Sequence, residues 1–513
     1  MHISIQNLGP VKNGEFDLKP LTVFIGDNRQ GKTQALYTAA AALDKLGYAA
    51  YTDRAAGFDA AVLFPEIERL YTEITQKENT TLDLIEHCRT YGQEYFNGLA
   101  QIIPAQIPGI LGSRTPYENT NLTFTLSEKE QQTLEKELCR REINTHIPGL
   151  GIKLVKEKDK KDLFIYKTET YSEQIPKSEI LRLITATLTQ LYHEILYPGF
   201  YYFPSDRNSI STILKIVANK KSSRGNNPFG SLTSSALNSN VTRSFSSRLS
   251  DFFGDSIENI LSGIPYPSQR FISALSDLLN DTENATGNRL KNTSKDKVLP
   301  YINLAALLSE KIAGEGVYLQ PNKTGLAQEI VIKKDGQELD IPLASSGVKG
   351  LMGLILYLRH YAEKGNTIII DEPEENLHPT QQTALAEFLA ILVNSGINVA
   401  ITTHSPYIVE HLETLILAHD LKDKTGVKEK LILKREDAYI AKENVSCCLF
   451  KDGTIENILL ENGQINWQTF CDTANIIDDI SIFVNYLRDR EKEDKNAQSI
   501  DTAVAEEKGE YHT

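Results

Sequence analysis

The sequence predicts an α/β fold: a mixed sheet flanked by helices, with a mostly helical insertion. Three observations carry that expectation. First, the apolar β-type runs LTVFI (Leu21–Ile25), TIII (Thr367–Ile370) and VAITT (Val399–Thr403) are each followed by a helical pattern, as a parallel sheet demands. Second, a glycine-rich loop joins the first of these runs to its helix. Third, 41% of the 513 residues are hydrophobic and 24% are charged, which is ordinary for a globular chain with a sizeable core and allows two to four domains.

The elements follow in order. His2–Gln6 and Glu15–Leu18 read as strands, Leu21–Ile25 as a buried strand, and Thr33–Leu46 as a helix rich in helix formers. Next, Phe64–Lys77 and Thr80–Ile103 look helical. Leu122–Leu126 is strand-like, and Ile152–Tyr166 forms a hairpin around the charged turn EKDKKD. Ser178–Tyr197 returns to helix. Phe200–Phe203 is a short buried strand ending in PSDR. From Arg207 to Ser250 the chain is rich in Ser, Asn and Gly. It carries Arg207, Lys215, Lys220, Lys221, Arg224, Arg243 and Arg248, without Asp or Glu. This run reads as a solvated loop or as a phosphate-neutralising surface. Helices are expected at Ser256–Leu261, Ser268–Leu279 and Val298–Ile312, and a strand pair at Gly316–Gln320 with Gln328–Lys333. Helical Leu351–Tyr361 precedes the TIII strand. Strands at Lys430–Lys434 and Cys447–Leu449 and a helix at Gln468–Leu487 complete the ordered chain. The polar tail from Arg488 is expected to be disordered.

The charge balance, Lys+Arg 54 against Asp+Glu 68 for a net −14, excludes a globally basic nucleic-acid-coating protein. Five cysteines without a CxxC pair exclude a disulfide framework and a zinc knuckle, and reduced thiols are expected. There is no run of about 18 apolar residues and no basic-then-apolar leader, so a cytoplasmic protein without a membrane partner is expected.

Four segments carry chemistry. Gly26-Asp27-Asn28-Arg29-Gln30-Gly31-Lys32-Thr33 fits G-x-x-x-x-G-K-[ST] between a strand and a helix. Glycines let such a backbone curl its N–H groups toward phosphate. Lys32 then reaches the β/γ-phosphates, the Thr33 hydroxyl binds Mg²⁺, and the helix N-terminus adds its positive end. Gly26, Asn28, Gly31, Lys32 and Thr33 are therefore the candidate ATP contacts. The strand TIII ends in Asp371-Glu372-Pro373, where Asp371 is the candidate Mg²⁺ ligand and Glu372 would orient the attacking water. Ser345-Ser346-Gly347 opens an apolar helix, as an anion site or an ordinary N-cap. His404 ends VAITTHSP, either as a γ-phosphate contact or as a structural histidine.

The order of these segments resembles the ABC-type ATPase heads of the SMC, RecF and OLD families. It is most similar to the stand-alone AAA15-like ATPases of bacterial anti-phage systems such as PARIS and Septu. The matching segments are ISIQNLGPVKNGEFDLKPLTVFIGDNRQGKT, LASSGVKGL, IIIDEPEENLHPTQQ and ITTHSPYIVEHL, with FPSDR, GVYLQPN and CLFKDGTIENILL matching more loosely. Together they cover roughly half the chain.

The resemblance implies roles. Lys32, Glu372 and His404 would be catalytic, with His404 as the switch histidine, and Thr33 and Asp371 would hold Mg²⁺. Ser345, Ser346 and Gly347 would form the signature that touches the ATP of a second copy, giving a homodimer or higher homo-oligomer with ATP sandwiched between heads. EENLHP would lie at that interface, and Arg207 would sense the nucleotide or the insertion. The implied organisation is a head from 1–50, 200–206 and 316–420 and a helical insertion with a β-hairpin at 51–199. A basic loop and helical segment at 207–315, a C-terminal α/β cap at 421–487 and a tail at 488–513 complete it. Two departures matter. No sustained heptads separate the phosphate loop from Ser346, unlike SMC relatives, and the chain after His404 is short for the Toprim nuclease domain of OLD proteins.

The resemblance implies a slow ATPase acting as sensor or scaffold in an anti-phage complex, with a separate nuclease effector and a DNA or phage-protein trigger. A RecF-like DNA-repair ATPase and a slowly hydrolysing, nucleotide-gated assembly protein stay open beside it.

Overall fold

The computed structural model describes residues 1–57, 65–115, 117–147, 151–171, 176–210, 264–280, 295–322, 328–334, 336–466 and 480–484. The chain forms two compact units, Met1–Gln464 and Ile465–Thr513. In the second unit residues 480–484 are helical, inside the helix expected at Gln468–Leu487. The expected helix at Ser256–Leu261 and the basic residues from Lys215 to Arg248 lie outside the described residues.

The first unit is built on a nine-stranded mixed sheet. Its strands are β1 (His2–Leu8), β2 (Val11–Asp17), β3 (Leu21–Ile25), β5 (Asn121–Thr125), β9 (Phe200–Phe203), β13 (Thr367–Asp371), β14 (Asn398–Thr403), β15 (Val445–Lys451) and β16 (Thr454–Asn457), in the order β5-β1-β2-β16-β15-β3-β14-β13-β9. From β15 to β9 every neighbouring pair is parallel. β3 and β13 are buried at every residue, which is why they read as unbroken apolar runs rather than alternating ones. Each fully buried Val, Leu or Ile side chain contributes roughly 1.5–3 kcal/mol, so this half of the sheet is a strong core.

The register aligns the carboxyl ends of the central strands. Asp371 pairs with Thr402, and Thr403 pairs with Ile25. In open α/β sheets the crevice beyond such strand ends is where ligands bind. The segment from Val445, expected as a cap, supplies β15 and β16, which lie between β3 and β2.

Helix α1 (Lys32–Leu43) is buried along nearly its whole length. Its Ala39–Ala42 run lets neighbours approach closely: α2 (Lys45–Gly57), α4 (Leu84–Leu111) and the sheet all pack on it. The second part of the core lies in the insertion. There α2, α3 (Pro65–Gln76), α4, α5 (Glu128–Arg140) and α6 (Lys177–Leu196) accompany a four-stranded sheet, β4-β8-β7-β6, of Asn79–Asp83, Asp162–Lys167, Ile152–Lys156 and Ile143–Ile147. The predicted hairpin is β7–β8. The insertion also donates β5, which pairs antiparallel with β1 at the edge of the main sheet.

Beyond β9 the described helices include α7 (Tyr266–Asn280), α8 (Lys295–Leu308), α9 (Ser346–His360), α10 (Pro379–Asn394), α11 (Pro406–His419) and the short α12 (Thr425–Lys428). A three-stranded sheet, β10 (Gly316–Pro321), β11 (Gln328–Lys334) and β12 (Gln337–Leu339), contains the expected strand pair.

Two expectations are corrected. Thr80–Ile103 is not one helix. Asn79–Asp83 is strand β4, and α4 starts at Leu84 because the Asp83 carboxylate caps the Ile85 and Glu86 amides. Lys430–Lys434 is not a strand. Its amides at Ile432 and Leu433 donate instead to the buried Glu387 carboxylate, at 2.9 and 2.7 Å. Among the described residues Cys88, Cys139, Cys447 and Cys448 are free thiols, and no helix is long and apolar enough to cross a membrane.

Candidate nucleotide site

The loop Gly26–Gly31 leaves β3 and enters α1. Its two outer glycines are required by backbone and space. Gly26 has φ 139°, and a Cβ there would lie 2.3 Å from the Phe450 carbonyl oxygen. Gly31 has φ 92°, and a Cβ would lie 2.8 Å from a Val11 methyl. Side chains would therefore clash and strain the turn. Gly31 N-caps α1, and Asn28 is exposed on the loop.

Lys32 opens the helix and is 5% exposed. Its ammonium donates to the carbonyls of Gly26 and Asp27, both at 2.8 Å, and to His404 Nε2 at 3.0 Å. Burial pulls its pKa down, while Glu372, Asp371 and Asp27 push back. Because His404 Nε2 accepts from Lys32, the imidazole is neutral on that side, and burial and the lysine charge both lower its pKa. Glu372 Oε1 lies 3.7 Å from the same nitrogen, an electrostatic neighbour rather than a hydrogen-bond partner.

Asp371 is 3% exposed and receives three hydroxyls. Thr33 Oγ1 donates to Oδ1 at 2.9 Å, Thr402 Oγ1 donates to the same oxygen, and Tyr37 OH donates to Oδ2 at 3.3 Å. The Thr33–Asp371 pair passes a test of fit for Mg²⁺. Neighbouring corners of an octahedral shell with bonds of about 2.0–2.1 Å lie about 2.9 Å apart. Both are hard oxygen donors. Among the described residues no group of three or more His, Cys, Asp or Glu could hold a metal, so the rest of such a shell would come from phosphate and water.

Glu372 has φ 49°, the left-handed region, which costs a side-chain-bearing residue about 1–3 kcal/mol. Besides the Glu375 amide, which donates to its carbonyl at 3.1 Å, three bonds hold it there. Its amide donates to Thr402 O at 3.1 Å and Thr402 Oγ1 at 3.2 Å, and its carbonyl accepts from Arg207 Nη2 at 2.8 Å. Burial first, then Asp371 and Glu374, raise its pKa above the ordinary carboxylate range. That is the direction a group needs if it is to work as a base near neutral pH.

The structure therefore brings Gly26, Gly31, Lys32, Thr33, Asp371, Glu372 and His404 to one place. Ser345, Ser346 and Gly347 lie at the N-terminal tip of α9. Ser345 caps α9, with its hydroxyl accepting the Val348 amide at 3.3 Å, and both serines are exposed. Gly347 faces Leu377 and Asn376 of the EENLHP loop.

A family model described as the AAA ATPase domain, AAA_15, matches residues 1–409. The chain belongs to that family. No curated protein matches it. Among solved structures, this AAA ATPase domain chain is similar to "Crystal structure of the SmcHead bound to the C-winged helix domain of ScpA". The identity is 11% and the TM-score 0.33, over 89% of this chain and 95% of that one. It is also similar to an Smc head domain with an extended coiled coil, bound to the C-terminal domain of ScpA derived from Pyrococcus furiosus. There the identity is 12% and the TM-score 0.31, over 94% and 98% of the two chains.

Three residues at the site of this AAA ATPase domain escaped the sequence. Tyr37 lies one helical turn beyond Thr33, and that spacing could have marked it. Thr402 precedes the Thr403–His404 pair at a strand end. Glu374 follows the Asp-Glu pair, and its Oε1 accepts the His404 amide at 2.7 Å and the Thr403 hydroxyl at 2.8 Å. Arg207, counted in the basic run, is 2% exposed and cannot serve as an open phosphate contact.

Proposed function

We propose that this chain binds Mg-ATP at Gly26–Thr33 and hydrolyses it. The observation that carries the proposal is the meeting of Lys32, Thr33, Asp371, Glu372 and His404 at the aligned carboxyl ends of β3, β13 and β14. Thr33 and Asp371 would hold Mg²⁺, which supplies charge neutralisation on the phosphate oxygens. Lys32 balances negative charge from within the loop. Glu372, held by its backbone and raised in pKa, orients and accepts a proton from the attacking water. His404, kept neutral beside Lys32, is placed to donate to or accept from a phosphate oxygen or that water. Lys32→Ala tests the assignment. Losing a charge-assisted contact worth about 1.5–3 kcal/mol should weaken ATP binding roughly 10- to 100-fold. Unchanged affinity would remove the site from Gly26–Thr33.

The exposed tip of α9, Ser345–Gly347, supports a second part of the reading: two copies sandwich ATP, each offering its tip to the other's nucleotide. The resemblance to stand-alone anti-phage ATPases supports a slow ATPase that acts as sensor or scaffold for a separate nuclease effector. Protection of cells against phage by the wild-type chain with its neighbouring genes, lost with Lys32→Ala, tests this role. Protection that survives the substitution would contradict it.

A further inference from the structure

Arg207 follows β9 and is 2% exposed, and its guanidinium donates to four backbone carbonyls. Nε donates to Gly350 O at 3.0 Å. Nη1 donates to Pro204 O at 3.0 Å and Asp371 O at 2.7 Å, and Nη2 donates to Glu372 O at 2.8 Å. The Glu375 carboxylate stands 4.0 Å away and balances the charge. One planar side chain thus joins the segment after β9, the end of β13 with the strained Glu372 that follows it, and the second turn of α9, the helix whose exposed tip is Ser345–Gly347. The small cavity beside it is lined by apolar side chains, including Leu351, Leu354, Ile370 and Pro373, which offer no alternative acceptor.

We propose that Arg207 is a positioning residue. It holds the Glu372 backbone in its left-handed turn and ties that turn to α9, so that a displacement of the α9 tip is transmitted to the group that orients water. This rests on the reading of Glu372 given above and adds how that group is controlled. The geometry is specific to arginine. A lysine has no rigid fork with which to reach four carbonyls lying on three different segments.

The test uses the full chain carrying Arg207→Lys, with Arg207→Gln as a second variant. Turnover, ATP affinity and hydrogen exchange of the amides spanning 372–377 are measured on each. A misplaced catalytic group lowers turnover roughly 10- to 100-fold. ATP affinity should stay within about threefold, because Arg207 is buried with its donors directed at backbone carbonyls, a split that separates positioning from binding. Exchange at 372–377 should rise, because the amides of Glu375 and Leu377 bond to the carbonyls of Glu372 and Glu374 within this turn. Turnover within about twofold of wild type would overturn the proposal. So would affinity and turnover falling together with faster exchange along the whole chain, the signature of a merely structural residue. Exchange needs no hydrolysis. Unchanged exchange at 372–377 therefore sinks the tie whatever the wild type does with ATP, whereas a wild type that never hydrolyses ATP, with exchange raised in the variants, refutes the ATPase reading and the control of turnover but leaves the physical tie standing.

Discussion

Replacing Glu372 by Gln isolates one chemical property of the site. The two side chains have the same shape, and the bonds that hold residue 372 in place run through its backbone, to Thr402 and from Arg207, so the turn survives the change. What is lost is the negative charge and the ability to take a proton. General-base assistance is worth roughly 10²- to 10⁴-fold in rate. At about 1.36 kcal/mol per tenfold this is about 2.7–5.5 kcal/mol of barrier, and turnover should fall by that factor. ATP affinity should hold or tighten. The carboxylate is among the charges facing Lys32, and removing it takes negative charge away from where a γ-phosphate would lie. The assay pairs phosphate release under saturating Mg-ATP with equilibrium binding of a fluorescent ATP analogue. A variant that keeps most of its turnover, or that loses binding and turnover in parallel, would refute the assignment of Glu372 as the residue that acts on water.

Glu374→Gln should shift the acid limb of the pH–rate profile to lower pH. As the proposed base Glu372 would work ionised and lose activity as pH falls through its raised pKa, and Glu374 is one of the charges that raise it. A limb that stays put or moves up would contradict that electrostatic account. Glu387→Ala should destabilise the fold by about 2–5 kcal/mol in urea melts, because two backbone amides and His411 lose a buried acceptor. Glu387→Gln, which keeps an acceptor, should cost less, and equal costs would argue against this origin. Ser346→Arg places a bulky cation on the exposed tip of α9. With Glu372→Gln and ATP it should keep the chain monomeric by light scattering while leaving ATP binding intact, and ATP-dependent dimers of the variant would remove the tip from the interface.

The central parallel strands were legible because burial on both faces makes them almost wholly apolar, with only Thr22 and Thr367 as small polar residues: LTVFI and TIII can hardly be anything but interior strands. The insertion was harder. NTTLD holds one apolar residue and INTHI two, and the inward position at Thr80 is polar, so neither five-residue run shows the period of a strand. The segment KLILK teaches the opposite lesson. Its alternation is real, since Leu431 and Leu433 are buried while Lys430, Ile432 and Lys434 are exposed, but a strand also needs a neighbour's ladder. Here the Glu387 carboxylate takes the amides, and Lys434 turns out at φ 52°. At the site, Lys32, Thr33, Asp371 and Glu372 announced themselves because their spacing is local. Tyr37 acts through Asp371, Thr402 through Asp371 and the Glu372 amide, and Arg207 through carbonyls of distant segments. Side-chain bonds to a backbone leave no pattern in the acceptor's sequence.

The most direct test of the account is the structure of the Glu372→Gln chain with Mg²⁺ and ATP. The account predicts the phosphates in the Gly26–Thr33 loop, Mg²⁺ beside Thr33 and Asp371, and Ser346 of a second copy against the γ-phosphate. A nucleotide bound away from Lys32 would contradict it.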